Sequence, residues 1–212
     1  MSQTVWIARH GNRIDFVNPE WFDTAERRYD PHLSEDGFIQ AKELAQRLKQ
    51  EKIEHIFTSP FLRTIQTANE VAQVLDLPIK IEAGLSEWHN SEWMNEVPET
   101  HPKELLKAEF PRLDWSYQSL LTPQYPETEA EVNQRTAETA KRLVAKYSEN
   151  LLIVGHGASV WGATKGLIPE YPVFEVSLCC LVKIVRNGDK WQLELCGDTS
   201  HLSQTETTVR LN

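Results

Sequence analysis

Two histidines, three arginines and one glutamate stand where this chain has the means for chemistry. "ARHGNR" at residues 8–13 brings Arg9, His10, Gly11, Asn12 and Arg13 together directly after an apolar run. Arg63 lies in "TSPFLRT" (58–64), Glu87 in "GLSEW" (84–88), and His156 stands between Gly155 and Gly157 in "VGHGAS" (154–159). Three guanidinium groups and two imidazoles make a dense donor set for a tetrahedral oxyanion. The planar fork of arginine grips phosphate with two bonds at once, and charge-assisted hydrogen bonds are roughly twice as strong as neutral ones. Arg63 falls in the first turn of a helical pattern, where the helix dipole disfavours a cation, and a bound anion removes that conflict. The glycines around His156 suit close approach of backbone to a ligand.

These residues share one address in the fold that the sequence predicts. Apolar runs at 5–8, 55–59, 79–83 and 151–155 read as strands. Between them, "EDGFIQAKELAQRLKQ" (35–50) repeats apolar residues every three or four positions, as an amphipathic helix does. A second helix starts at "SPFLRTIQTANEVAQVL", with Ser59 as N-cap and Pro60 as first helical residue. A third starts at Thr128, where Thr128 and Glu131 form a capping box. Strands alternating with helices predict an α/β domain with a largely parallel sheet covered on both faces. "SLCCLVKIV" (177–185), Asn187–Gly188 and "KWQLELC" (190–196) predict a hairpin with an Asn-Gly turn, hence an antiparallel strand at the C-terminal end. In open parallel sheets ligands bind beyond the carboxyl ends of the strands. His10, Arg63, Glu87 and His156 each follow a different strand end. The helix starts after Ser59 and His156 add backbone N–H groups for an anion there.

Two segments break the periodicity. Residues 12–33 contain Phe16, Trp21, Phe22 and Tyr29, and residues 88–126 hold Trp88, Trp93 and Trp115 with five prolines. Long loops of this kind are either lids and binding loops or carriers of aromatics that pack as satellites of the core. The second is expected as a lid-like insertion in a single domain spanning 1–212.

Composition narrows the partners. A 212-residue chain, 40% hydrophobic, can bury one sizeable core. Net charge of −9 and a pI near 5.3 give a global field that repels nucleic acid and anionic membranes, so neither is an expected partner. No stretch approaches the ~20 apolar residues of a membrane span. The N-terminus has no basic region followed by an apolar one, which predicts a cytoplasmic protein. Cys179, Cys180 and Cys196 show neither metal spacing nor an even framework, and the adjacent pair in an apolar run reads as buried thiols. There is no P-loop, no carboxylate cluster suited to magnesium and no zinc spacing around His10 and His156. No metal and no cofactor are therefore expected; the cations must do a metal's work. Ser159 does not sit in a nucleophile-elbow pattern, which disfavours a serine hydrolase. His32, His55, His89, His101 and His201 read as structural or surface residues, with His89 near the mouth of the site. Nothing in the sequence specifies an oligomeric state.

Taken together, "ARHGNR", "LSEDGFIQA" (33–41), "TSPFLRTIQTA" (58–68), "GLSEW" and "VGHGAS" resemble the histidine phosphatase superfamily, the phosphoglycerate mutase-like group. The resemblance covers nearly the whole chain. Arg13 and the "EW" pair are most similar to the phosphatases called suppressors of T-cell receptor signalling. The resemblance implies a three-layer α/β/α sandwich with a mostly parallel sheet. It implies His10 as nucleophile, a clamp of Arg9, Arg13, Arg63 and His156, and Glu87 as proton donor, with Gly11, Asn12 and Gly157 also at the substrate. Asn12 stands where relatives commonly carry Glu or Gln. The mutases' longer insert is missing, and "EWHNSEW" (87–93) occupies its region, which favours hydrolysis. The implied activity is metal-independent hydrolysis of a small-molecule or peptide phosphomonoester through a phosphohistidine. Phosphoglycerate mutase-type transfer and a non-catalytic phosphate-binding module are the alternatives. In that mechanism His10 must be neutral, which the surrounding guanidinium charges favour. His156 is expected to be protonated once phosphate binds, and Gly11 to permit a sharp backbone turn.

Overall fold

Strands covered on both sides need apolar residues at consecutive positions, and this sheet is built from such runs. The computed structural model describes residues 2–204. In chain order it contains β1 (Ser2–Arg9), the short helices α1 (Ile14–Val17) and α2 (Trp21–Thr24), α3 (Glu35–Leu48), β2 (His55–Thr58), α4 (Leu62–Leu75) and β3 (Ile79–Ile81). There follow α5 (Lys103–Glu109), α6 (Glu129–Lys146), β4 (Leu151–Gly155), α7 (Gly157–Leu167), β5 (Leu181–Asn187) and β6 (Lys190–Asp198). The strands form one sheet in the order β3-β2-β4-β1-β5-β6. The first four in that order are mutually parallel. β5 runs against β1, and β6 against β5, so β5 alone is reversed and lies one strand in from the edge.

Alternation along the strands sends side chains to two separate cores. Trp6, Ala8, Ile56, Leu152 and Val154 meet Leu44 and Leu48 of α3 and Ile65 and Val71 of α4. Val5, Ile7, Phe57, Leu151 and Ile153 meet Ala140 and Leu143 of α6 and Val160 and Ala163 of α7. The result is the expected three-layer α/β/α sandwich. Burial of each large apolar side chain is worth about 1.5–3 kcal/mol, so these two cores hold the sheet that carries the site.

Register then fixes which residues become neighbours. Arg9 pairs with Gly155, and Thr58 pairs with Val154. One step further on, His10, His156 and Ser59 stand side by side beyond the sheet. The His10 N–H donates to the Gly155 carbonyl at 3.0 Å, and the Ser59 N–H to Val154 at 3.1 Å.

Several local expectations shift. The second long helix starts at Leu62, not Pro60, and its N-cap residue Phe61 offers no side-chain cap. The carboxylate of Asp30 caps it from elsewhere in the chain, accepting from the Leu62 N–H at 2.6 Å. The capping box of Thr128 and Glu131 is present. The hairpin turn centres on Gly188 and Asp189, one residue later than expected, because Asn187 still pairs with Lys190. Gly188 supplies the positive φ (64°) that this turn requires. Strand β5 begins at Leu181 rather than at 177, because Cys179 and Cys180 are occupied by bonds to His10 and Ser177. Both thiols are buried, as expected, and burial pushes Cys180 up to about 12. Gly11 serves close packing rather than a sharp turn: a Cβ there would lie 2.5 Å from the Gly37 carbonyl oxygen of α3. Among the described residues no helix is long and apolar enough to cross a membrane.

Candidate active site

Arg63 is the centre of the site. It enters from the first turn of α4 and is 1% exposed. Its Nε donates to His10 Nε2 at 3.3 Å, and its Nη2 lies 3.2 Å from both Glu87 Oε2 and His156 Nδ1. His10 and His156 are fully buried, and their rings meet edge-on at 5.3 Å. Four residues drawn from four strand ends thus converge within hydrogen-bonding reach, as their shared address predicted.

The environment decides the protonation states. His10 Nδ1 lies 2.7 Å from the Gly11 carbonyl, which can only accept, so Nδ1 carries the hydrogen and Nε2 keeps a lone pair. Burial, then the charge of Arg63, holds the His10 imidazolium well below the usual histidine range. Burial likewise lowers His156 to about 4, against the opposing pull of Glu87. Both rings are neutral in the free site at pH 7. Burial lowers Arg63 to about 10, which leaves it charged. For Glu87, burial works upward, but contacts with His156 and Arg63 outweigh it and hold the carboxyl well below the usual range. The free site therefore contains a Glu87–Arg63 ion pair flanked by two neutral imidazoles.

The other expected residues divide. Arg9, Arg13 and Gly157 line the same cavity of about 690 Å³ as Arg63 and Glu87. Arg13 is gripped by Asp15, Nε to Oδ1 at 2.9 Å, and lies over the Phe16 ring at 4.4 Å. Arg9 donates to the Val176 carbonyl at 2.6 Å. A Cβ on Gly157 would meet nothing within 4 Å, so the N-terminus of α7 opens onto free space. Its N–H groups are available to an anion. The start of α4 is not, because Asp30 already takes its Leu62 N–H. Gly11 and Asn12, expected among the substrate contacts, do not line the cavity, and neither do the fully buried rings of His10 and His156. The Asn12 amide donates instead to Asp36 at 2.6 Å, and its N–H donates to Gln40 at 2.8 Å. Asn12 thus fastens the His10 loop to α3.

Four residues near the site escaped the sequence reading. Ser59, expected as a helix cap, sits 2.8 Å from His156 Nε2 and orients that ring. Asp15 pairs with Arg13, two residues earlier in the chain. Arg135 of α6 donates to the carbonyls of Gly84, Ser86 and Glu87 at 2.9–3.1 Å. Glu127 grips the same guanidinium at 2.6 and 2.7 Å. This buried pair fixes the backbone that presents Glu87. The Ser159 hydroxyl accepts from the His156 N–H and donates to the Leu85 carbonyl, so it is not poised as a nucleophile. His89 is buried, does not line the cavity, and lies 3.0 Å from the Gln124 carbonyl.

Among the described residues, His10, Glu87 and His156 offer ligand atoms within 4.8 Å of one another, the spacing of a cation site. The guanidinium of Arg63 bears on all three, and its fixed positive charge opposes a second cation there.

Residues 5–199 match the model of the histidine phosphatase superfamily (branch 1). The chain is 33% identical over 168 residues to the transcription factor tau 55 kDa subunit of Saccharomyces cerevisiae, covering 74% of this chain and 39% of that protein. It is 26% identical over 239 residues to the ecdysteroid-phosphate phosphatase of Drosophila melanogaster, covering 91% of this chain and 32% of that one. The chain thus spans roughly a third of the length of these two relatives. Among solved structures, the ecdysone phosphate phosphatase of Bombyx mori, in complex with tungstate, superposes with a TM-score of 0.78 at 22% identity, covering 99% of this chain and 98% of that chain. A phosphoglycerate mutase from Bacillus anthracis superposes with a TM-score of 0.66 at 21% identity, covering 95% and 96%.

Two outcomes follow from this geometry. Arg135→Met strands the buried Glu127 carboxylate and frees three carbonyls, a loss of about 3–5 kcal/mol in urea unfolding; an unchanged midpoint would show that the pair supports nothing. His10 and His156 bind protons more readily when unfolded than when folded. Their stabilisation is complete above pH 6.5 and is lost as the pH falls towards the folded value of about 4 for His156. Unfolding free energy should therefore fall between pH 7 and 5, less steeply in His156→Asn. A flat profile contradicts the burial of neutral rings.

Proposed function

The chain belongs to the histidine phosphatase superfamily, branch 1, and on that footing we propose that it hydrolyses phosphomonoesters, without a metal, through a phosphohistidine on His10. One observation carries the reading: the Gly11 carbonyl and the burial of the ring together place a lone pair on His10 Nε2, against the Arg63 guanidinium. A neutral nucleophile and a fixed cation at the same point are what phosphoryl transfer needs.

In this reading the dianionic ester takes over Arg63 from its partners, with Arg9, Arg13 and the open N-terminus of α7 around it. Losing the guanidinium to the phosphate raises the proton affinity of Glu87 and of His156, which supplies an acid and a second cation beside Arg63. His10 Nε2 then forms a bond to phosphorus as the ester P–O bond breaks, and the leaving oxygen takes the proton of Glu87. The positive charge on the phosphorylated imidazole is met by the Nδ1–H bond to Gly11. In the second step Glu87 removes a proton from water, whose oxygen bonds to phosphorus as the P–N bond breaks. Phosphate leaves, and His10 is again neutral.

The match to a transcription factor subunit favours one rival, a phosphate-binding module without turnover, and the likeness to a phosphoglycerate mutase favours another. Steady-state assays separate them. His10→Ala should lower kcat/KM on p-nitrophenyl phosphate at least ~10⁴-fold, with phosphate at normal affinity within a few fold. Glu87→Gln should cost ~10²-fold or more with phenyl phosphate, a poor leaving group, and much less with p-nitrophenyl phosphate. Turnover by His10→Ala, or an equal loss for both esters in Glu87→Gln, would overturn the assignment of these roles. Isomerised phosphoglycerate in place of released phosphate would establish the mutase.

A further inference from the structure

A phosphoryl group fills a small part of a cavity of about 690 Å³, a volume that suits a drug-sized molecule. About half of the residues that surround the remainder carry aromatic rings, with Met94, Val132, Ala158 and Val176 among the rest. On one side Trp161 of α7 stacks on Phe174, centroids 4.9 Å apart and 23° between planes, with Tyr171 edge-on at 5.8 Å. On another, Trp88 meets Trp93 at 5.0 Å. Trp93 leaves 42% of its surface in water, an exposure that a covering ligand would relieve. Trp88 directly follows Glu87, and its indole N–H is fixed on the Glu127 carbonyl at 2.8 Å. The group attached to an oxygen at Glu87 must therefore pass along a ring already held in place.

The polar lining points the same way. Away from the phosphate end the charges are Arg28 and Lys165 against Glu129 and Glu175, two of each sign. That balance offers no field for a second phosphate or a carboxylate on the substrate. Among the described residues of the lining, Asn133 is the lone neutral amide side chain. We propose that the cavity selects phosphomonoesters whose leaving group is a bulky, rigid and largely apolar alcohol or phenol. The proposal rests on the phosphatase reading above and adds the substrate class to it.

The test compares estrone 3-phosphate with phenyl phosphate. Both release a phenol, so the esters differ in apolar bulk and not in leaving-group chemistry. The polycyclic ester should show a kcat/KM about 100-fold higher, from the apolar area it buries. Trp161→Ala should cut that ratio at least tenfold, and Trp161→Phe, which keeps a ring, should retain most of it. Calorimetry with the unreactive pair estrone 3-sulfate and phenyl sulfate reads the same preference as affinity, without turnover. Equal kcat/KM for the two phosphates, or faster turnover of O-phosphoserine or a phosphotyrosine peptide, overturns the proposal, as do equal affinities for the two sulfates. If neither phosphate is hydrolysed and the sulfate preference persists, the cavity assignment stands and the phosphatase reading falls.

Discussion

A guanidinium buried to 1% exposure is costly to desolvate, and the site is organised around that cost at Arg63. Glu87 balances its charge, and the two histidine rings accept or border its remaining N–H groups. Because the same burial keeps both imidazoles neutral, the cluster carries one cation and one carboxylate rather than a heap of positive charge. A phosphate dianion changes this balance more than any neutral ligand would. In the proposed mechanism it would compete for the guanidinium, release Glu87 from its partner and favour protons on the groups that were depleted of them. That proposal couples binding and proton supply through one side chain.

The surrounding fold decides which positive groups are left for a ligand. Asp30 uses the start of α4, so the helix that delivers Arg63 spends its own N–H on the protein. The start of α7 opens onto the cavity at Gly157, with His156 held just before it. The Arg135–Glu127 pair fixes three carbonyls of the turn that ends in Glu87. Arg63, His10 and His156 come from the rigid layer of strands and helices, whereas Glu87 comes from a turn, and that turn has its own ionic brace. The aromatic walls continue from the same pieces of chain: Trp88 directly follows Glu87, and Trp161 lies one turn along α7 from Gly157.

How much of this was readable from the chain depended on the range of the forces involved. Strand runs and helical periods are local, and β4 and the capping box at Thr128 appear where the pattern put them. The convergence of His10, Arg63, Glu87 and His156 was legible because a parallel sheet brings its strand ends to one edge. Capping across the chain was not, because nothing near Leu62 announces that Asp30, thirty-two residues earlier, will reach it. The brace at Arg135 was hidden for the same reason: its partners are carbonyls, which have no sequence signature. Asn12 and Gly11 were placed at the substrate by their neighbours in the motif, whereas their bonds and close contacts run to α3 and α4. The hairpin missed by one residue because Asn-Gly and Gly-Asp both suit a two-residue turn, and cross-strand pairing chose between them.

In the proposed mechanism the lone pair on His10 Nε2 attacks phosphorus. Rapid acid-free quenching of enzyme mixed with excess p-nitrophenyl phosphate, followed by peptide mass spectrometry, tests it most directly. A phosphate, stable to base and lost in acid, is expected on the peptide that contains His10. Steady turnover with no adduct on that peptide, or with the phosphate on another residue, would contradict it.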